Sequence, residues 1–222
     1  MVLFFIIADF LYCTLPFLLS ITYHTFMPHS SGPLAYRRLL KTDIFGVWLI
    51  CTFGPLSSFY TGLYCTPDIM SLFLAVYFML SAAVLYYLMI QDCKRKRVAA
   101  LTAQFFLRIL IHPLRLTISQ SSTDAVYYYI IMDIITSIGA LMNSHHVPER
   151  WIPGGWGVDY VFNGHSLMHV AAILGVLIGK YGFFSDMLWL NSVASCSAGV
   201  GKGVWPAWKE LTKGIFLLFE SF

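Results

Sequence analysis

Long apolar stretches separated by short polar connections run along most of this chain. A helix needs ~20 mainly apolar residues to cross the hydrocarbon layer of a membrane, and about six stretches qualify. The fourth is interrupted by two arginines, a histidine and a proline. The pattern predicts an all-α fold, a polytopic membrane helix bundle with about six transmembrane helices. The expected spans are residues 2–23, 43–60, 69–90, 98–118, 125–142 and 165–184.

The two ends of the chain are assigned separately. The N-terminal run opens without a basic region or a small-residue cleavage site, so we expect a retained span and not a signal peptide. Residues 1–191 are assigned to the helix bundle and residues 192–222 to a C-terminal tail of unknown structure. Within the tail, residues 205–222 are short and amphipathic, which favours a position on the membrane surface.

The composition agrees with this class of protein. Hydrophobic residues make up 58% of the chain and charged residues 11%, and the mean hydropathy of +0.71 exceeds that of soluble domains. The sequence has no Cys/His finger spacing and no Gly-rich phosphate loop, so we expect a membrane-embedded protein with no nucleic acid partner. The five cysteines predict no disulfide framework and leave one pairing open, between Cys65 and Cys196.

Basic residues mark alternate connections between the predicted spans. They follow the first, third and fifth spans, whereas residues 61–68 and 119–124 contain neither lysine nor arginine. Basic loops face the cytoplasm in most membrane proteins. This rule places both ends of the chain outside, or in a lumen, although three lysines in the tail favour the opposite. The basic residues concerned are Arg37, Arg38, Lys41, Lys94, Arg95, Lys96, Arg97 and Arg150.

Five polar residues from three predicted helices fall at the inner end of the bundle. Ser20 and His24 end the first span four residues apart, and Asp43 opens the second. His165 and His169 open the sixth span and share one helix face, because they too are four residues apart. A histidine among lipids is costly to place and needs a partner or a function. The common depth of these residues therefore predicts a site.

This set of residues matches the chemistry of zinc. Three imidazoles and a water molecule form a tetrahedral zinc site of the open, catalytic kind, and we predict His24, His165 and His169 as the ligands. Zinc makes hydroxide available at neutral pH. Asp43 is placed to hold that water or take its proton, with Ser20 as a second hydrogen-bond partner. The alternative is a set of interfacial polar residues that only meet lipid headgroups.

Three other charges, Arg108, Asp133 and Asp9, fall near the middle of the bilayer. An isolated charge at that depth costs ~2.5 to 3.5 kcal/mol on insertion scales. We therefore predict that Arg108 pairs with Asp133 or Asp9 inside the bundle. We expect no metal ligation by His29, His112, His145 or His146, because each lacks a helical partner at the right depth.

Three motifs carry a family resemblance. The first is Ser20-Ile-Thr-Tyr-His24 and the second is Leu40-Lys-Thr-Asp43-Ile-Phe-Gly46. The third joins Pro148-Glu-Arg150 and Pro153-Gly154 to the run from His165 to His169. Together they resemble the progestin and adipoQ receptor (PAQR) family, which includes the adiponectin receptors and is related to the hemolysin III proteins. The chain looks most like the fourth-member branch.

The resemblance implies a seven-helix bundle with a cytoplasmic N-terminus and a zinc ion near the inner face, held by residues that match His24, His165 and His169. Asp43 and Ser20 match positions that contact the water on zinc. The resemblance further implies ceramidase-like amide hydrolysis, as in some members of the family, or reception of hormones or adipokines, as in others. Against this pattern the chain lacks the N-terminal region and first helix, as expected of a truncated isoform, a fragment or a gene-model error.

The function is left between different classes. One interpretation is zinc-dependent hydrolysis of ceramide-like lipid amides, with Asp43 as general base and Ser20 orienting the water. Another is a membrane receptor of adipokine or progestin type, or a lipid-binding protein, in which zinc is structural and the partner is an extracellular ligand. A third is a scaffold that acts through its cytoplasmic loops. We expect the protein in the Golgi, the endoplasmic reticulum or the plasma membrane.

Overall fold

The computed structural model describes residues 11–29, 32–117, 122–154 and 161–192, together with Ile7 and Gly157. In this part of the chain the regular structure is helical, as predicted. The predicted tail, after its first residue, lies outside the described residues, as does most of the first span before Leu11. The helices are α1 (Leu15–Phe26), α2 (Pro33–Phe53), α3 (Leu56–Gly62), α4 (Pro67–Ile90), α5 (Lys94–Ile109), α6 (Ile111–Thr117), α7 (Thr123–His145) and α8 (Gly164–Ser192), with a 3-10 helix at Met27–His29.

Four segments of the described chain are long and apolar enough to cross a membrane. They correspond to the second, third, fifth and sixth predicted spans, which confirms a helical membrane bundle. The four segments are Pro33–Gly62, Pro67–Ile90, Thr123–His145 and Gly164–Leu190.

The second span starts well before the predicted Asp43. α2 begins at Pro33, after Gly32 with a φ of 94°. That left-handed value favours glycine, and proline loses nothing at the first helical position because its N–H has no partner there. Arg37 and Arg38 therefore lie within the helix. Hydropathy detects only the apolar part of a helix, so the polar first turns were missed.

The fourth predicted span is divided into two short helices. α5 ends at Ile109, and α6 begins at Ile111. Pro113 explains the break: it has no N–H to donate to the carbonyl of Ile109, four residues earlier, and its ring would clash with that carbonyl.

Close contact between α7 and α8 fixes the position of the last helix. A Cβ on Gly139 would lie 2.5 Å from the Cβ of Ala171, and a Cβ on Gly175 would lie 2.4 Å from Cγ2 of Thr136. Small residues at such points let membrane helices approach closely. The two glycines thus set how α8 lies against α7.

Helix α4 shows how apolar side chains face both the core and the surroundings. Tyr77 is 1% exposed and packs with Phe59, whereas Leu72, Met79 and Tyr86 are 68%, 66% and 69% exposed. A helix with an apolar outer face suits contact with lipid.

The predicted mid-membrane ion pair is present. Arg108 on α5 donates to Asp133 on α7, and both side chains are 6% exposed. His112 on α6 also contacts this carboxylate, with 2.8 Å between its Nε2 and Oδ2 of Asp133. The pairing with Asp133 is confirmed, while Asp9, the other predicted partner, lies outside the described residues. The role of His112 as a second partner was not predicted.

A second buried ion pair, between Arg115 and Asp186, escaped the sequence analysis. Nη2 of Arg115 lies 2.6 Å from Oδ1 of Asp186. Oδ2 of Asp186 accepts from the hydroxyl of Thr61 at 2.6 Å and from that of Tyr129 at 3.2 Å. This network joins α3, α6, α7 and α8. Asp186 was not considered because the predicted sixth span stopped at residue 184.

One cysteine of the described chain is oxidised. Cys65 is disulfide-bonded, whereas Cys13, Cys51 and Cys93 are free thiols. Cys196, whose pairing with Cys65 the sequence left open, lies outside the described residues.

Candidate metal centre

Three histidine side chains meet at one end of the bundle. His24 lies in the last turn of α1, and His165 and His169 lie in the first two turns of α8. Nε2 of His165 is 3.0 Å from Nε2 of His24 and 3.2 Å from Nε2 of His169. Among the described residues, these three form the group of histidine, cysteine and carboxylate side chains whose candidate ligand atoms all lie within 4.8 Å of one another.

The spacing of these nitrogens suits a tetrahedral metal ion. Zn–N bonds of about 2.0 to 2.1 Å at tetrahedral angles separate two ligand nitrogens by roughly 3.4 Å. The observed separations of 3.0 and 3.2 Å are close to that value. Imidazole nitrogen is a preferred ligand of zinc, and three imidazoles leave a fourth position open. The residues present therefore fit a zinc ion.

Neighbouring contacts orient the first histidine. The buried ring of Tyr23 meets the ring of His24 edge-on, with 4.9 Å between centroids. The side chain of His24 is nevertheless exposed, whereas His165 and His169 are partly buried. The cluster is thus more accessible from the side of α1 than from the side of α8.

Asp43, the predicted acidic residue of the site, lies outside the group of three imidazoles. It is a partly buried residue of α2, and its carboxylate interacts electrostatically with His165 and His169. It is not among the side chains whose ligand atoms lie within 4.8 Å of one another. Asp43 is therefore linked to the cluster by charge and is not one of its candidate ligands.

Ser20 lies one turn before His24 on α1. Its hydroxyl oxygen is buried and has no hydrogen-bond partner. Leaving a buried polar atom without a partner costs about 1 to 3 kcal/mol. A water molecule or a ligand held near His24 would supply the missing bond.

A residue that sequence analysis did not assign to the site holds the start of α8. Oε2 of Glu149 accepts a hydrogen bond of 2.7 Å from the backbone N–H of Gly164, the residue before His165. Although partial desolvation opposes it, hydrogen bonds from backbone amides, including that of Gly164, lower the pKa of Glu149 below its usual value. The signal is present in the Pro148-Glu-Arg150 motif, which contributes to the family resemblance.

Comparison with known proteins identifies the family. The sequence profile described as haemolysin-III related matches residues 1–179, a stretch that includes all three histidines. The chain belongs to the haemolysin-III-related family. This membership confirms the resemblance to the PAQR and hemolysin III proteins. Together with the four long apolar helices of the described chain, it makes the protein an integral, multi-pass membrane protein.

Several relatives carry receptor names. The chain is 32% identical over 178 residues to progestin and adipoQ receptor family member 4 of Homo sapiens, covering 80% of this chain and 64% of that protein. The protein of the same name from Mus musculus gives the same identity and coverage. The adiponectin receptor protein of Drosophila melanogaster is 24% identical over 190 residues, with 82% of this chain and 42% of the relative covered. The chain thus spans less than two thirds of the length of these haemolysin-III-related proteins.

Proposed function

We propose that this haemolysin-III-related protein is a zinc-dependent hydrolase of ceramide-like lipid amides. The observation that carries the proposal is the meeting of three Nε2 atoms from two helices, His24 on α1 and His165 and His169 on α8, within hydrogen-bonding distance. These residues would hold the ion. When bound, zinc supplies Lewis acidity toward a carbonyl oxygen and lowers the pKa of water.

Asp43 is the residue proposed to move the proton. Its carboxylate interacts electrostatically with His165 and His169 without belonging to the group of candidate ligands. A carboxylate in that position accepts a proton from water during attack on the amide carbon and returns it to the leaving nitrogen. General acid–base catalysis of this kind contributes typically about 10²- to 10⁴-fold to the rate.

Ser20 is proposed to orient the attacking water. Its buried hydroxyl has no partner within the protein, and a hydroxyl can both accept and donate a hydrogen bond. Water held next to His24 would meet this group one helical turn away. The role of Ser20 is positional, so its loss should cost less than the loss of Asp43.

The site also has access suited to a lipid. His24 is exposed, and Ile21 and Phe26, on the same helix, are 61% and 56% exposed. Apolar side chains around a polar cluster at a helix end suit a substrate with acyl chains and a polar amide.

The hydrolase is tested by separating zinc retention from turnover. We expect the zinc-loaded protein in detergent to release fatty acid from ceramide, and Asp43→Asn to keep zinc while turnover falls about 10²- to 10⁴-fold. Asp92→Asn, which alters an exposed carboxylate in an ion pair with Arg37, should change neither. A zinc-loaded wild type without turnover overturns the hydrolase, and full turnover in Asp43→Asn overturns the assignment of the base.

A second candidate is a membrane receptor with a structural zinc ion. Two observations favour it: the receptor names of the relatives, and the way in which the histidines tie α1 to α8 across the chain. In such a protein Asp43→Asn leaves zinc content and ligand response unchanged. Ligand-dependent signalling by a zinc-loaded protein that releases no fatty acid would favour the receptor.

A further inference from the structure

The first two turns of α8 carry two of the three histidines, and the backbone N–H groups of the first turn need acceptors from outside the helix. The first four N–H groups of any helix have no partner within it. Here Glu149 accepts from Gly164 at 2.7 Å, and Oδ1 of Asn163 accepts from the N–H of Ser166 at 2.8 Å. Glu149 is 15 residues away from Gly164 in the chain, so its bond also connects α8 to the loop that follows α7.

That loop is itself tightly hydrogen-bonded. α7 is capped by His146 in the left-handed conformation, with its N–H directed at the carbonyl of Met142. The N–H of Arg150 donates to the carbonyl of His146 at 2.7 Å, and the N–H of Trp151 donates to that of Pro148 at 2.8 Å. These bonds hold the backbone on both sides of Glu149. Its carboxylate is therefore presented from a defined turn.

Gly164 lies against the end of α7 with almost no clearance. A Cβ at this position would lie 2.5 Å from the carbonyl oxygen of Met142 and 2.9 Å from that of Val147. Contact with these carbonyls limits movement of α8 toward the loop, and the Glu149 bond limits movement away from it. The height of the first turn of α8, meaning its position along the helix axis, is thus set from both sides.

The position of the first turn of α8 directly affects the spacing of the imidazoles. His165 follows Gly164, and its Nε2 lies between those of His24 and His169, at 3.0 and 3.2 Å. His24 comes from another helix, so a small axial shift of α8 would change the 3.0 Å separation of His24 from His165, whereas His165 and His169 would move together. Metal affinity depends on the residues that orient the ligands as well as on the ligands themselves.

We propose that Glu149 is a positioning residue for the metal centre, which caps α8 and sets the height of His165 and His169 relative to His24. This inference rests on the zinc-binding part of the proposed function and not on hydrolysis. A carboxylate suits this role because negative charge is favourable at a helix N-terminus and charge-assisted hydrogen bonds are strong.

The test compares zinc affinity, measured by competition with a chelator, in the full chain and three variants. Glu149→Ala removes the acceptor, and we expect zinc affinity to fall about tenfold. Glu149→Gln keeps an acceptor oxygen, so its affinity should stay within about threefold of wild type. Ser122→Ala is the matched control, because Ser122 caps α7 by accepting from the N–H of Ala125 at 3.3 Å and that helix carries no ligand.

A second readout does not depend on zinc. In the metal-free protein, amide hydrogen exchange over residues 163–169 should become faster in Glu149→Ala and remain near wild type in Glu149→Gln and Ser122→Ala. Wild-type zinc affinity in Glu149→Ala would overturn the inference, as would an equal loss of affinity in Ser122→Ala. A wild type that binds no zinc would overturn both the proposed function and this inference. Failure of the inference alone would leave zinc binding by the wild type intact, so the two failures are distinguishable.

Discussion

The Nε2 atoms of His24 and His165 lie 3.0 Å apart, although the residues are separated by 141 positions in the chain. The contact joins α1 to α8 at one end of the bundle. Two imidazole nitrogens this close can share a proton, and with His169 at 3.2 Å from His165 the three also suit the proposed zinc ion. The centre therefore depends on how the helices that carry it are held.

The first prediction concerns the ion pair in the middle of the bundle. Asp133→Ala should destabilise the protein by about 3 to 5 kcal/mol, because it leaves the buried guanidinium of Arg108 without its counter-charge. Replacing both residues by apolar ones, as in Arg108→Met with Asp133→Leu, should recover much of that loss. Thermal unfolding in detergent measures both effects.

An exposed ion pair provides the control. Nη1 of Arg37 lies 3.8 Å from Oδ2 of Asp92, and both side chains are 66% exposed. Asp92→Ala should change the stability by less than about 1 kcal/mol. If Asp133→Ala proves as mild as Asp92→Ala, the buried pair does not stabilise this bundle.

The second prediction concerns the packing of α8 on α7. Gly139→Val places a side chain where a Cβ would already lie 2.5 Å from Ala171. We expect a loss of about 1 to 3 kcal/mol from overpacking, together with weaker zinc binding, since α8 carries two of the proposed ligands. Thermal unfolding and zinc titration measure the two effects. The neighbouring Ala140→Val, at an exposed position, should leave both unchanged, and equal effects from the two variants would refute the account.

The third prediction concerns how the alkylation rate of Cys93, in the connection between α4 and α5, depends on pH. A hydrogen bond from the backbone N–H of Lys96, followed by that of Arg95 and the charges of both residues, lowers the pKa of this exposed thiol below the usual 9.0. Because the thiolate is the reactive form, a lower pKa keeps Cys93 reactive at lower pH. The midpoint of its alkylation rate against pH should therefore fall below 9.0.

Two variants give that measurement its control. Cys93→Ser removes the signal and so isolates it from Cys13 and Cys51, which are also free. Substituting Arg95→Gln and Lys96→Gln together should move the midpoint upward, but only partly, because the backbone hydrogen bonds remain. A wild-type midpoint above 9.0 would contradict the assigned cause.

Polar residues within apolar stretches were the most informative part of the sequence. The cost of placing a charge in the bilayer predicted the pairing of Arg108 with Asp133 or Asp9, and a common depth predicted that His24, His165 and His169 would meet. Both arguments need only helix positions along the membrane normal, which hydropathy gives well. They do not need to know which helices are neighbours.

Features that depend on helix ends or on which helices are neighbours were missed, because hydropathy reports neither. The polar first turns of α2 carry no hydropathy signal, so its start at Pro33 was placed too late. The pair of Arg115 with Asp186 requires the contacts of α6 with α8. Glu149 caps a helix that starts 15 residues later, and no local capping pattern reveals such a partner.

The zinc content of the purified protein tests the central claim most directly. Elemental analysis should give about one zinc ion per chain for the wild type and for His145→Ala, an exposed histidine outside the cluster. The double variant His165→Ala and His169→Ala should contain none while remaining folded. A well-folded wild type without zinc, or a double variant that keeps it, would contradict the assignment of His24, His165 and His169 as a metal centre.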